Sequence, residues 1–199
     1  MSLRFEVLGC GSLAGLIDEI ARLRITVFAD WPYLYEGSKE YEARYLRTYL
    51  DSRDGIVVGA WDGNELVGAA TGTPMEDHAD EFGKALAGHG MPPGDVFYCA
   101  ESVLLPQYRG QGAGHRFFEL REARARELGR RWSMFCSVIR PADHPMRPED
   151  YRPLDAFWRK RGYEKLEDAV AEFSWQDRGD TKETVKPMQV WRRDLDKAE

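Results

Sequence analysis

Residues 104–115 read Leu104-Leu105-Pro106-Gln107-Tyr108-Arg109-Gly110-Gln111-Gly112-Ala113-Gly114-His115, and everything else in the chain is best read outward from them. An apolar strand ends at a proline, which has no backbone N–H to carry a ladder further. A glycine-rich turn follows and opens into a charged amphipathic segment. The first N–H groups of a helix have no partner inside it and sit at the positive end of its dipole, so a diphosphate can accept from them directly. Glycines let a ligand approach the main chain because no β-carbon stands between them. Arg109 adds charge at the rim. An isolated Gly-x-Gly is equally well explained as a tight turn, so the surroundings have to decide.

Upstream, Asp95 to Leu105 is a nearly continuous apolar strand interrupted by Glu101. Downstream, His115 to Leu128 is a helix with Phe117, Leu120 and Leu128 on one face and Gly129 placed to end it. Trp132 to Ile139 is the next strand. Arg140 to Pro153, with four prolines, is irregular, and Leu154 to Arg161 is helical with Gly162 as its C-cap. Two strands, Ala169 to Trp175 and Val185 to Trp191, close the order. Toward the N-terminus, Arg4 to Leu8 is a short strand, and Ser12 caps a helix carrying Leu13, Leu16, Ile17, Ile20 and Leu23 as far as about Phe28. A second helix carries Tyr41, Tyr45, Leu46 and Leu50. Gly55 to Trp61 and Glu65 to Thr73 form a hairpin across Asp62-Gly63-Asn64. Pro74 to Gly94 is a connection with one short helix.

In this setting, Arg109-Gly110-Gln111-Gly112-Ala113-Gly114 resembles the R/Q-x-x-G-x-G/A signature of the GNAT superfamily of acyl-CoA transferases, with Arg109, Gly112 and Gly114 in its fixed positions. The element order extends the resemblance over most of the chain. It implies one α+β domain over residues 1–199: a central, mostly antiparallel sheet of six to seven strands flanked by about four helices and splayed at a cofactor site. It also implies transfer of an acetyl group from acetyl-CoA to a primary amine of a small molecule or peptide, by direct attack in a ternary complex. Val103, Leu104 and Leu105 would then pair with the pantetheine amides through their backbones. The amides of Gly110, Gln111, Gly112, Ala113, Gly114 and His115 would surround the pyrophosphate, with Arg116 nearby. Phe157 to Tyr163 resembles the family's late helix, which supports the cofactor's thiol end and so implies Trp158 beside the cofactor; Trp158 there replaces a frequent tyrosine acid, and an indole N–H is too weak an acid for that task.

Acetyl transfer to an amine needs a proton acceptor. Glu101 is the candidate base: it interrupts an apolar strand, and desolvation raises a carboxylate's pKa. It shares a strand face with Val103 and Leu105. A carboxylate answering a buried arginine explains the position equally well. Tyr151 is the candidate acid, with water or an unassisted thiolate as open alternatives. Cys136 has no neighbouring base and is expected to pack rather than carry the acetyl group. Trp31, Tyr33 and Tyr35 lie where the resemblance puts one wall of the acceptor pocket, an aromatic wall suited to a cationic amine; a packing contact between helices is the other reading.

The net charge of -6 and pI near 5.4 have the wrong sign for nucleic acid and anionic membranes, so neither is an expected partner. Three cysteines without C-x-x-C spacing and solitary His78, His89 and His144 predict neither disulfide framework nor metal. A soluble cytoplasmic protein is expected, and the resemblance implies a homodimer. Two rivals stand beside the transferase: a non-catalytic acyl-CoA sensor or partner-binding module of the same fold, and a dinucleotide oxidoreductase using Gly9-Cys10-Gly11 ahead of Ala14.

Overall fold

The computed structural model describes residues 3–197, with the side chains of residues 10–12, 48, 50, 79 and 80 outside the description. Seven strands form one sheet: β1 (Arg4–Val7), β2 (Ile56–Asp62), β3 (Glu65–Pro74), β4 (Val96–Leu104), β5 (Trp132–Val138), β6 (Glu164–Trp175) and β7 (Thr184–Asp194), in the order β1-β2-β3-β4-β5-β7-β6. Among the described residues five α-helices accompany them: α1 (Cys10–Phe28), α2 (Lys39–Asp51), α3 (Ala79–Leu86), α4 (Ala113–Glu127) and α5 (Asp155–Lys160).

Each neighbouring pair is antiparallel except β4 and β5. A doubly wound parallel sheet is therefore excluded, and with it the oxidoreductase reading of Gly9-Cys10-Gly11, whose side chains at 10 and 11 lie outside the description. The Gly63-Asn64 turn joins β2 to β3 as expected, with Asp62 opposite Glu65 and Gly63 at φ 57°. The expected cap at Ser12 is corrected: α1 starts at Cys10, and Gly9 is its N-cap, its carbonyl accepting from Leu13 N at 2.9 Å. Leu46 is fully buried on the α2 stripe, while the Leu50 side chain lies outside the description. The last two strands start earlier than hydropathy suggests. In β6 the pairing with β7 breaks between Lys165 and Val170, where Asp168 takes φ 62°, so the alternation that marks a strand is interrupted.

Three apolar clusters hold the layers. One lies under α1 and α2, from Leu13 and Ile20 to Val103 and Leu105. A second lies under α4 and α5, with Phe97, Cys99, Phe117, Phe135 and Trp191. A third joins Phe82 of α3 to Tyr98, Met134 and Met188. α1 and α2 thus cover one face of the sheet and α4 the other.

Two irregularities in β4 shape the site. β4 pairs with β5 only at Val96, Phe97 and Tyr98, opposite Trp132, Ser133 and Met134. Beyond that point β4 stays with β3 as far as Leu104, and β5 stays with β7 as far as Val138, so the sheet forks. Between the pairs Thr73↔Tyr98 and Thr71↔Glu101, β4 also carries one more residue than β3. This bulge reverses the alternation of side chains: Phe97 and Cys99 face α4, whereas Glu101, Val103 and Leu105 face α1 and α2.

Candidate active site

The glycine loop leaves β4 through a 3-10 turn at Pro106–Tyr108, whose Tyr108 hydroxyl donates to Asp62 at 3.0 Å. Gly110 at φ 77° and Gly112 at φ 86° take left-handed backbone that side chains disfavour, and Gly112 is the N-cap of α4. Among the described residues, the amides of Gly110, Gln111, Gly112, Ala113 and Gly114 donate to no backbone carbonyl. The amides of His115 and Arg116 are engaged with the Gly112 carbonyl at 3.0 and 3.3 Å. A β-carbon on Gly114 would meet the Phe157 ring at 3.2 Å, so this glycine sets how closely α5 packs on the loop. The His115 ring rests 4.9 Å from that same ring, and its Nδ1 lies 3.2 Å from Arg161. Behind them Glu122, almost fully buried, accepts from Arg161, Arg193 and Tyr163 at 2.9–3.0 Å and locks α4 to the end of α5 and to β7.

Arg109 lies on the surface with Nε 3.4 Å from the Leu104 carbonyl, and Arg116 is half-exposed beside Glu119. Of the three residues expected to present free backbone, Leu105 gives its N–H to Val67 at 3.0 Å. By antiparallel alternation Val103 also faces β3, where it pairs with Ala69, so Leu104 is the one turned to the open fork. Trp158 packs on the α4 side, 4.9 Å from Phe135 and 5.1 Å from Trp191, and so buttresses the β5 arm from behind.

On the opposite face, a cavity of about 220 Å3 opens onto the fork between Tyr98 and Ala100 of β4 and Cys136 of β5. Glu101 lines it, with 17% of its side chain exposed. The Arg24 guanidinium is in contact with both Glu101 and the fully buried Glu42 of α2. The buried-arginine reading of Glu101 thus describes its surroundings. Arg24 also stacks over Tyr45 at 4.4 Å and Phe28 at 5.3 Å. From α4, Arg121 crosses under the bulge and donates to the carbonyls of Glu101 at 2.8 Å and Thr71 at 3.1 Å and to the Ser102 hydroxyl at 2.9 Å.

The structure brings Tyr33 and Tyr35 into the cavity wall but not Trp31 or Tyr151. Those two rings meet each other edge-on at 5.8 Å, and the His144 ring lies 5.1 Å from Trp31. Burial holds the Tyr151 hydroxyl above its ordinary pKa, which weakens it as an acid. Burial likewise pushes the Cys136 thiol up, in keeping with packing rather than nucleophilic chemistry. The loop bearing Tyr33 is pinned by Arg140, which donates to the carbonyls of Pro32 and Tyr33 at 2.8 and 2.6 Å and to both oxygens of Asp177 at 2.6 and 2.9 Å. Sequence reasoning missed Arg24, Glu81, Tyr98 and Trp175 in the cavity. Of these only Arg24 carried a signal, a cation four residues after Ile20 on the buried stripe of α1.

No curated protein matches this sequence. The fold is similar to an aminoglycoside 6'-N-acetyltransferase complexed with coenzyme A, at a TM-score of 0.63 and 14% identity over 98% of this chain and 99% of that one. The aminoglycoside 6'-N-acetyltransferase of Enterococcus faecium gives a TM-score of 0.63 at 14% identity, over 98% and 99% of the two chains. A Salmonella typhimurium protein solved with its cofactor acetyl-CoA gives 0.59 at 11% identity, over 100% and 97%. At these identities the likeness establishes the fold alone. The profile of the acetyltransferase (GNAT) family matches residues 21–148, a span that runs from Arg24 through Glu101 and past the glycine loop. Since that match takes in both the cavity and the loop over more than half of the sequence, the chain belongs to the acetyltransferase (GNAT) family.

Proposed function

We propose that the protein transfers an acetyl group from acetyl-CoA to a primary amine of a small molecule or peptide by direct attack within a ternary complex. The observation that carries this reading is the fork: the open amides at the start of α4 lie toward one face of the sheet, the Glu101 cavity lies on the other, and the gap between β4 and β5 joins them. The residues present fit the cofactor. Five unengaged amides from Gly110 to Gly114 suit a diphosphate, and the outward backbone of Leu104 suits an extended amide chain. When bound there, acetyl-CoA supplies an activated thioester carbonyl.

The protein's own groups do the rest. The cavity desolvates the acceptor, and Glu101, directly or through one water, takes the proton that the ammonium must lose. The amine nitrogen then bonds the acetyl carbon as the carbon–sulfur bond breaks, the electron pair leaves on sulfur, and the second proton that the nitrogen sheds passes through water to the thiolate. Tyr151 lies outside the cavity, so in this reading water supplies the thiolate's proton. Calorimetry with acetyl-CoA and thiol release across a panel of amines test the proposal. Steady release supports it, whereas tight binding without release from any acceptor would mark a non-catalytic acyl-CoA-binding module.

A further inference from the structure

The cavity carries more than a place for an amine. Half of its sixteen lining residues are aromatic, Tyr33, Tyr45, Tyr98, Phe173 and Trp175 among them. Its volume is about 220 Å3, and it is open on one side. An apolar protein cavity of about 150 Å3 takes up benzene, so this one holds a single six-membered ring with a short side chain. Drug-sized ligands need roughly 300 Å3 or more, so the remaining rings of an amine of several sugar rings would lie outside the aromatic walls, at the open side of the cavity.

Charge narrows the class further. Glu81, whose carboxylate lies 3.1 Å from His78 Nδ1, and Glu101 line the cavity, and Glu42 stands behind it; among the described lining residues Arg24 is the only lysine or arginine, and it already contacts Glu42 and Glu101. The arrangement favours an ammonium group and opposes a second carboxylate. The rings can present π faces to a cation, as they already do to Arg24. Among the described residues, the hydroxyls of Tyr33 and Tyr98 find no hydrogen-bond partner. Burial pushes the Tyr33 hydroxyl up to about 12 and Tyr98 well above its ordinary value, so both stand as neutral donors facing a ligand.

We infer that the acceptor is a small aromatic primary amine without a carboxylate, an arylalkylamine, its ring caged by tyrosines and its nitrogen directed toward Glu101. The inference rests on the transferase reading for its chemistry but not for binding, and the experiment separates the two. Thiol release is measured with 2-phenylethylamine, tyramine, L-phenylalanine, spermidine and kanamycin, beside calorimetric titration of the same amines into the protein with acetyl-CoA absent and present. The expected result is kcat/KM for the two arylalkylamines on the order of 100-fold above L-phenylalanine and the polyamine. Tyramine should be at least as good as 2-phenylethylamine, and Glu81→Gln should narrow the gap to L-phenylalanine. Release with spermidine or kanamycin but not with the arylalkylamines overturns the substrate class and leaves the transferase standing. Binding of 2-phenylethylamine with no release from any amine sinks the transferase reading and keeps the cavity's specificity. If the arylalkylamines neither bind nor react, the inference is wrong.

Discussion

Replacing Glu101 by glutamine separates the two roles that its surroundings allow. If Glu101 accepts the amine's proton, the variant loses general-base catalysis, about 10²–10⁴ in kcat, equivalent to roughly 3–5 kcal/mol of barrier. The structural cost is smaller. Removing one partner of a buried ion pair costs about 3–5 kcal/mol when the other charge is stranded, but here Arg24 keeps Glu42. What remains is one hydrogen bond to a charged group, partly restored by the amide oxygen of glutamine, about 1–2 kcal/mol. For a chain of 199 residues that lowers the melting temperature by roughly 2–8 °C, so the variant stays folded at assay temperature. Glu42→Gln is the control, since it takes the other carboxylate from Arg24 without touching the cavity. The expected pattern is a collapse of kcat in Glu101→Gln with unchanged acetyl-CoA affinity by calorimetry, and near-normal kcat in Glu42→Gln despite a comparable loss of melting temperature. Turnover by Glu101→Gln within about threefold of wild type would falsify the base assignment, because Brønsted behaviour leaves a true base no route to so small an effect.

Three further outcomes follow from the geometry. Gly112→Ala forces a side chain into left-handed backbone at φ 86°, a strain of about 1–2 kcal/mol, and should weaken acetyl-CoA binding about tenfold or more by calorimetry; unchanged affinity would remove the loop from the cofactor site. Cys136→Ala should keep most of its turnover, and wild type incubated with acetyl-CoA should show no acetylated cysteine by mass spectrometry, because burial keeps this thiol protonated. Arg140→Ala strands Asp177 with only Lys186, 3.4 Å away, and should lower the melting temperature by roughly 5–15 °C at neutral pH while raising KM for the amine. Burial pulls the Asp177 pKa up, but the bonds and charge of Arg140 and the charge of Lys186 outweigh it and hold the carboxyl below its ordinary range. A depressed carboxylate adds stability above its unfolded pKa of about 3.9 and loses it as pH falls through the folded value. The gap between wild type and Arg140→Ala should therefore close in acid, and a gap that widened there would reverse the assignment.

Local chemistry made part of this legible in sequence. The glycine loop, the Gly63-Asn64 turn and the face of Glu101 each follow from a few adjacent residues, and the structure places all three as read. The cavity was not legible, because its walls come from six distant parts of the chain and only tertiary packing assembles them. Trp31 shows the limit well. It shares an aromatic segment with Tyr33 and Tyr35, yet the backbone turns between them, and Trp31 leaves the wall that the other two form. The bulge was equally silent, since Tyr98-Cys99-Ala100-Glu101 contains neither glycine nor proline to announce a break in register.

That silent bulge couples the two halves of the site. Without the extra residue in β4, strand alternation carried on from Tyr98 and Ala100 would turn Glu101 toward α4 and away from the cavity. At the bulge the guanidinium of Arg121 donates to the carbonyls of both Thr71 and Glu101. Arginine suits this task because its planar fork offers several donors in fixed directions, where a lysine would bring a single point charge. Arg121 belongs to α4, the helix whose first turn exposes the open amides. One helix thus sets the aim of Glu101 from beneath the sheet and presents the anion site at its own N-terminus, so any shift in the seating of α4 moves the candidate base and the cofactor loop together.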